Sequence, residues 1–303
     1  MLSSSAVLAA SWALTRVAHA HSHISNFVID GGSYQGHNPR GENPANLAAW
    51  DTRVPDDGWV GTKDYTSPDF VCHLGATNAQ GYATVDAGSD IHFQWAGWPE
   101  SHKGPVMTYL ARCGDDSQSC ATVDKTELEF FKVGSGALLD PDQPATNFSS
   151  AMGVWATDVL ISKNNTFLIE IPPTTPSGFY VLRHEIIALH YATNAAQGPQ
   201  HYPQCINLHI QSSSSSTALP AGVRASALYR SDEPGLVYDI YQSELPAYKI
   251  PGPTLVRGAV AMVEQTATAI PIASSVTATP AAPTRAGEAG RTRHAKKMRA
   301  VRN

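Results

Sequence analysis

The run FYVLRHEIIALH at residues 179–190 and the run CINLHIQ at residues 205–211 decide the fold class. Both are rich in β-branched and aromatic residues and are bounded by Gly, Pro or Asn, which is typical of strands. Similar runs lie at residues 91–95, 105–111, 128–133 and 167–171. No comparably long stretch has uninterrupted helical periodicity, and 23 Gly and 21 Pro among 303 residues disfavour a helical bundle. We therefore predict an all-β fold, an immunoglobulin- or fibronectin-like antiparallel β-sandwich with long loops.

The amino-terminal end has the features of a secretory signal. Residues 6–14 form a short apolar run, and Ala18-His19-Ala20 fits the small-x-small pattern that precedes a signal-peptidase cut. The run is shorter than the ~20 apolar residues of a membrane helix, so we interpret residues 1–20 as a cleaved signal, with an uncleaved leader as the alternative. We expect a secreted, extracellular protein, in which the sequons at Asn147 and Asn164 are candidate glycosylation sites.

The carboxy-terminal end differs from the rest of the chain in composition. Residues 259–303 are rich in Ala, Thr and Pro and end in a basic stretch. This composition buries too little surface to offset the entropy of ordering, so we predict a low-complexity disordered tail with a basic end. We expect residues 21–258 to form one folded domain, with residues 235–257 as a loop-rich strap packed on the sandwich.

The formal net charge of −5 averages over regions of opposite character. Residues 21–261 hold 13 basic and 24 acidic side chains, a balance of −11, whereas residues 262–303 hold seven Lys or Arg against two Glu. Because an acidic body repels polyanions, we expect neither nucleic acid nor an anionic membrane as a partner.

The chain contains four cysteines, an even number that predicts two disulfides in a secreted protein. Four cysteines allow three pairings. Cys113 and Cys120 flank a turn-rich segment that suits a local bridge, which leaves Cys72 to pair with Cys205.

Cleavage of the signal makes His21 the first residue of the mature chain. Its α-amino group and imidazole can then close a chelate ring around one metal ion, which an internal histidine cannot do. A second histidine, His102, lies in the turn WPESHKGPV at residues 98–106, where Pro and Gly hold a loop beside a strand. Gln200 and Tyr202 share one face if their segment is extended.

These segments resemble the fungal lytic polysaccharide monooxygenases of auxiliary activity family nine, formerly glycoside hydrolase family 61. The resemblance spans about residues 21–256, and its segments occur in the expected order. They are His21, YQG at 34–36, SHKGPV at 101–106, LRHEIIALH at 182–190, QHYPQCIN at 200–207 and IPGP at 250–253.

The resemblance implies one copper ion per chain, held by the amino group and ring of the first residue and by a second imidazole. The implied residues are His21, His102 and Tyr202 as ligands, with Tyr202 axial, and His190 and Gln200 as neighbours that control protonation. Amine and imidazole donors in a tetragonal arrangement suit Cu(II). His184 shares strand parity with His190, so parity alone does not exclude an exchange of roles, but the ten-residue spacing from His190 to Gln200 favours His190.

The resemblance also implies oxidation at C1 or C4 of a β-1,4-glucan, cellulose or a hemicellulose. The co-substrate would be O2 or H2O2, and a small molecule or a protein would act as external electron donor. Tyr248 and Tyr34 are expected to bind the substrate by stacking on sugar rings. Because the tail contains no cysteine, no carbohydrate-binding module of the usual fungal type is expected, and we expect a monomer.

Two other functional classes compete with this interpretation. A non-catalytic secreted copper- or polysaccharide-binding protein of the same fold would need His21 and His102 but not the axial and neighbouring residues, whose presence favours an enzyme. A hydrolase would need paired carboxylates, but Asp115-Asp116 lies in a Gly-containing turn and faces different ways. Lys103 and His201 depart from the family pattern without removing an expected ligand.

Overall fold

The computed structural model describes residues 21–146, 149–215, 217–265 and 273–281. The early strands are β1 (Ile24–Ile29), β2 (Gly32–Gln35), β3 (Gly81–Asp86), β4 (Asp90–Trp95), β5 (Val106–Gly114), β6 (Glu129–Gly136) and β7 (Leu138–Asp140). The later strands are β8 (Val154–Trp155), β9 (Thr166–Glu170), β10 (Gly178–Ala188), β11 (Gln200–Gln211), β12 (Val223–Arg224), β13 (Ser274–Val276) and β14 (Thr279–Pro280). The described residues also form three short α-helices, which are α1 (Asp69–Cys72), α2 (Ser119–Thr122) and α3 (Ala156–Ser162).

Two large sheets form a sandwich. One has the strand order β13-β2-β1-β4-β9, and the other has the order β12-β6-β5-β10-β11-β3-β14, while β7 and β8 pair separately. Most neighbouring strands are antiparallel, although β11 pairs with β3, and β13 with β2, in parallel. The predicted all-β sandwich with long loops is confirmed. No helix in the described part of the chain is long and apolar enough to cross a membrane.

The larger sheet is covered on both faces, which explains why its central strand β10 is buried at all eleven positions. Even-numbered β10 residues such as Tyr180 and Leu182 face the core between the two sheets. Odd-numbered residues such as Val181 and Ile187 face a second core, which long loops cover. Burial on both faces gives a continuous apolar run instead of an alternating one.

The predicted strand positions agree with the structure, but two boundaries differ near the site. The run at 179–190 leaves the sheet after Ala188, and the run at 205–211 belongs to a strand that already begins at Gln200. Ala188 and Gln200 pair directly, so the end of β10 and the start of β11 lie at the same end of the sheet. The strap at 235–257 packs on the loop-covered core, where Leu236 and Ile240 are fully buried.

The prediction of a disordered tail needs correction for its described segments, 259–265 and 273–281. The Gln265 side chain exchanges two hydrogen bonds with the backbone of Leu168 on β9, at 2.7 and 2.8 Å. Strands β13 and β14 pair with β2 and β3. Composition predicts little side-chain burial, but these segments are ordered by pairing with the backbone of open sheet edges. The rest of the tail, the signal at 1–20 and Asn147 lie outside the described residues, whereas Asn164 is exposed in the turn before β9.

Both predicted disulfides are confirmed. Cys72–Cys205 links α1 to β11 across a sequence separation of 133 residues, and Cys113–Cys120 links β5 to α2 across seven. The longer bridge ties the covering loops to the strand that carries Gln200 and Tyr202.

Candidate metal centre

The candidate site residues meet at one end of the sandwich because the strands that carry them end there. His21 precedes β1, and His102 lies in the loop that joins β4 to β5. His190 follows β10 by two residues, while Gln200 and Tyr202 begin β11. The sheet register places the start of β5 beside the end of β10, and the end of β10 beside the start of β11. Segments far apart in sequence are thereby brought together.

The ring positions suit a shared metal ion. The ring centroids of His21 and His102 are 6.1 Å apart, and those of His21 and Tyr202 are also 6.1 Å apart. An imidazole nitrogen binds a transition metal at about 2.0 Å, so two rings on opposite sides of one ion have centroids roughly 6 Å apart. The spacing of His21 and His102 therefore fits the copper ion that the family resemblance implies.

The protonation of the histidines also fits metal binding. Burial, followed by the neighbouring His190 and His21, lowers the pKa of His102 to about 3. Burial, followed by His21, lowers the pKa of His190 to about 4. Both rings are therefore neutral at neutral pH, and a neutral imidazole is the form that binds a metal. Nδ1 of His102 lies 3.0 Å from the hydroxyl of Ser101, which leaves Nε2 as the candidate donor.

The described residues contain no cluster of three or more His, Cys, Asp or Glu side chains that could hold a metal. The candidate ligand set differs from such a cluster, since it contains only two imidazoles and two donors of other types. One is the amino group of residue 21, which exists only after the signal is removed, and the other is the phenol of Tyr202. Of these donors, the amino group would be available to a metal only in a chain cleaved before His21.

Tyr202 is fully buried, and its hydroxyl donates to Oε1 of Gln200 at 2.8 Å. Burial, with a smaller contribution from Asp56, raises the pKa of Tyr202 far above its usual range, so the phenol stays protonated. Trp98 packs edge-on against Tyr202 at 4.9 Å, and its indole N–H donates to the backbone oxygen of His102 at 2.9 Å. Trp98 thus supports both Tyr202 and the loop that carries His102.

The structure places His190, not His184, beside the candidate ligands. The rings of His190 and His102 are 3.8 Å apart, and Nδ1 of His190 is buried with no hydrogen-bond partner among the described residues. His184 lies inside the sandwich, stacked on Phe93 at 4.4 Å, with Nδ1 3.0 Å from Thr108. Strand parity links the two only while β10 continues, and β10 ends at Ala188.

The two departures from the family pattern have structural partners behind the site. The Lys103 ammonium donates to the Gly153 carbonyl at 2.7 Å and to Asp158 at 3.0 Å. The ring of His201 lies between Glu185, 2.9 Å from Nδ1, and Tyr65, 2.8 Å from Nε2. Neither side chain therefore takes a ligand position.

Glu185 is fully buried and lies at the centre of the hydrogen-bond network that includes His201. Its two oxygens accept from Arg183 at 2.6 and 2.9 Å, and Tyr229 also donates to it. Burial acts to raise the pKa of Glu185, but the charge of Arg183 and the hydrogen bond from His201 outweigh it and hold the pKa well below its usual range. The carboxylate therefore stays ionised.

The two tyrosines predicted to bind the substrate are each partly covered. Tyr34 stacks on Phe27 at 5.2 Å, and its strand is paired with β13. Tyr248 packs against Trp155 at 4.9 Å, and its hydroxyl donates to the Gly235 carbonyl at 2.8 Å. Their role in binding sugar rings stays a prediction.

Sequence reasoning missed three aromatic residues near the site. Tyr191 is 43% exposed, and its ring lies 4.6 Å from that of His190. Tyr241 is 46% exposed; partial burial, followed by the neighbouring Tyr191, raises its pKa. The ring of Trp59 lies 5.2 Å from His21. The sequence could have identified Tyr191, because it directly follows His190, but no sequence pattern pointed to Trp59.

Comparisons with known proteins agree with this geometry. The model of Auxiliary Activity family 9 (formerly GH61) matches residues 21–248. The chain is 43% identical to AA9 family lytic polysaccharide monooxygenase D of Podospora anserina, covering 90% of this chain and 76% of the relative. It is 45% identical to AA9 family lytic polysaccharide monooxygenase A of Thermoascus aurantiacus, covering 78% of this chain and all of the relative.

Among solved structures, the extended catalytic domain of H. jecorina LPMO9A superposes with a TM-score of 0.76 at 44% identity, covering 86% of this chain and all of that domain. Cel61B from the same organism superposes with a TM-score of 0.68 at 35% identity, covering 78% of this chain and all of that protein. Fold, site geometry and sequence identity over most of the length therefore agree, and the chain belongs to Auxiliary Activity family 9.

Proposed function

We propose that the protein is a secreted, copper-dependent lytic polysaccharide monooxygenase that cleaves β-1,4-glucan by oxidation. The observation that carries this proposal is the convergence of His21, His102 and Tyr202 from three distant segments, with ring centroids 6.1 Å from His21 to each of the other two. The relatives named above are lytic polysaccharide monooxygenases, which supports the same activity here.

The ligands would be the amino group and ring of His21, the ring of His102 and the hydroxyl of Tyr202. Bound copper would supply one-electron redox chemistry, with O2 or H2O2 as co-substrate and an external electron donor. The protein would hold the ring of His102 neutral and keep the phenol of Tyr202 protonated, so that Tyr202 contributes a weak neutral donor.

His190 and Gln200 would control protons beside the metal. Nδ1 of His190 is free of partners within the described structure and can hold or release a proton. Gln200 accepts from Tyr202 through Oε1, which leaves its amide N–H groups as donors. A donor and a proton carrier next to the ligand rings are what a reaction that consumes protons at the metal needs.

The substrate would lie across the end of the sandwich. Tyr191 exposes an aromatic ring next to His190, and Tyr241 exposes a second ring near Tyr191. Aromatic faces pack against the apolar faces of sugar rings. We propose cellulose or another β-1,4-glucan as substrate, with Tyr191 contributing to binding. Attack at C1 or C4 would follow from how the chain lies across these rings.

Secretion and signal cleavage are part of the proposal. The family match begins at residue 21, which is the residue that the predicted cut exposes. A cut at any other peptide bond would place the amino group on the wrong residue and remove one ligand.

The direct test uses the protein with its processed amino terminus, loaded with copper and supplied with ascorbate and cellulose or xyloglucan. Oxidised oligosaccharides detected by mass spectrometry are expected. Two variants test the site: His102→Ala, and a form with one extra alanine before His21, which keeps every side chain but moves the amino group. Each should lose product and bind copper less tightly in calorimetry.

The outcomes separate the competing functions. Tight copper binding without oxidised products from any β-1,4-glucan would favour the non-catalytic binding protein. Unchanged copper affinity in both variants would contradict the proposed ligands.

A further inference from the structure

The first residues after the predicted signal contact two separate loops. The backbone oxygen of His23 accepts the N–H of Ala96 at 2.9 Å, and the Ser22 hydroxyl accepts the N–H of Gly97 at 3.2 Å. Nδ1 of the His23 ring lies 2.8 Å from Oδ1 of Asp57. Ser22 and Asp57 are both buried, so these bonds form away from solvent. The amino-terminal segment is therefore held in place before strand β1 begins.

Asp57 is itself fixed from two sides. Its second oxygen, Oδ2, lies 2.7 Å from Nη1 of Arg40, which also donates to the Pro55 carbonyl at 3.0 Å. The backbone of Asp57 has a φ of 56°, and its N–H donates to Val54 at 2.9 Å, which closes a tight turn. Asp and Asn tolerate this left-handed conformation better than most residues. The turn presents the carboxylate to His23.

The loop that carries Asp57 also touches the candidate metal centre. Two residues further on, the ring of Trp59 lies 5.2 Å from that of His21. Val60 exchanges backbone hydrogen bonds of 2.9 and 3.1 Å with His201 in strand β11, next to Tyr202. Asp57 thus belongs to a loop joined to both parts of the site.

The mature sequence His21-Ser22-His23 offers copper a second mode of binding. A free amino terminus with histidine at the third position can chelate Cu(II) through four nitrogens. These are the amino group, two backbone amides and Nδ1 of the third residue, in the square arrangement that Cu(II) favours. This four-nitrogen mode and the mode shared with His102 compete for one amino group. Nδ1 of His23 is the atom that Asp57 holds.

We propose that Asp57 is a positioning residue that selects between these two modes: it holds the His23 ring and leaves the amino group of His21 to the site shared with His102. This inference rests on the proposed function, because it takes copper binding at His21 as given. Side chains two residues apart in an extended segment point the same way, so an additional interaction is needed to keep the rings of His21 and His23 apart. Residues 21–23 precede β1 and depend on loop contacts to keep one conformation.

The test compares two substitutions of the same chemistry. Asp57→Asn keeps the size and the left-handed turn but removes the charge and one acceptor. Asp51→Asn is the matched control, because Asp51 also pairs with a histidine, His37, at 3.1 Å, but is 59% exposed. Each protein, with a processed amino terminus and no metal, is titrated with Cu(II). Affinity, visible absorption and electron paramagnetic resonance spectra are recorded.

Wild type and Asp51→Asn are expected to give one shared spectrum. Asp57→Asn should add the four-nitrogen spectrum, with absorption at shorter wavelength, and should weaken the original mode about 10-fold, the lower end of the effect of residues that orient metal ligands. The double variant Asp57→Asn/His23→Leu cannot form the four-nitrogen mode and should recover a single spectrum. A purely structural role would change the melting temperature of the metal-free protein without adding this spectrum.

Two results would overturn the inference in distinguishable ways. If wild type binds copper with an affinity that depends on His102, but Asp57→Asn has the same spectrum and affinity, Asp57 does not select the mode. If the affinity of wild type is indifferent to His102→Ala, the proposed ligands are wrong, and the inference fails with them.

Discussion

Replacing Glu185 by glutamine tests the buried network behind the metal centre. The carboxylate has no exposed surface, and each oxygen has two partners. Oε1 accepts from Arg183 at 2.9 Å and lies 2.9 Å from the His201 ring, whereas Oε2 accepts from Arg183 at 2.6 Å and also from Tyr229. A glutamine amide replaces one oxygen by an NH2 group. Whichever oxygen is replaced, an N–H of Arg183 then faces another donor.

The expected cost follows from the charge left behind. Arg183 has no exposed surface and would keep one hydrogen bond to the remaining side-chain oxygen, together with those to the Val71 and Phe70 carbonyls at 2.9 and 3.3 Å, but it would lose the opposite charge. Removing one partner of a buried ion pair costs about 3–5 kcal/mol. For a domain of this size, each kcal/mol lowers the melting temperature by about 2–4 °C, so a fall of about 6–20 °C is expected.

The assay is urea unfolding of the metal-free protein, followed by tryptophan fluorescence. Glu127→Gln is the matched control, because Glu127 also pairs with an arginine, Arg224, but the two side chains are 56% and 52% exposed. Exposed pairs contribute about 0–1 kcal/mol, so this control should unfold close to wild type. A loss in Glu185→Gln within 1 kcal/mol of the control would refute the reasoning that the buried charge dominates.

Three further predictions concern the rest of the molecule. Removing Cys72–Cys205 should cost about 5 kcal/mol and removing Cys113–Cys120 about 2 kcal/mol, because the bridges close loops of 133 and seven residues; urea unfolding measures both, and a larger loss from the shorter loop would contradict this order. Acidification from pH 7 to 4.5 should destabilise the metal-free protein, because burial lowers the pKa of His184 to about 3. Below about pH 6.5 the unfolded chain binds a proton at this histidine and the native state does not, so the free energy of unfolding falls by about 1.4 kcal/mol per pH unit. An unfolding midpoint independent of pH would argue against this. Tyr191→Ala should weaken binding to cellulose about 5-fold, the loss of roughly 1 kcal/mol of ring contact, with copper affinity unchanged; equal binding isotherms would exclude Tyr191 from the substrate face.

Local sequence patterns located most of the strands because burial leaves a strong signal in them. The apolar run at 179–190 predicted β10, and the even cysteine count together with the turn at 113–120 predicted both disulfides. Sequence patterns did not predict the strands that are ordered mainly by backbone pairing. Strands β13 and β14 lie in a segment of small residues, and open edges of β2 and β3 order them.

The roles of two histidines show what local sequence patterns could not distinguish. His184 and His190 have the same parity in an apolar run, and a pattern that repeats every two residues treats them alike. The structure separates them because β10 ends at Ala188, which leaves His184 inside the core and brings His190 to 3.8 Å from His102.

The sequence by itself determined the fold class, the disulfides and the family resemblance, because these depend on residue type and local spacing. Tertiary structure alone decided how the candidate site residues are held together and which residues lie behind them. His21, Asp57 and His102 come from separate segments, and the Glu185 network joins strands β10 and β11 to distant loops. Such contacts depend on chain topology, and no short-range pattern in the sequence records them.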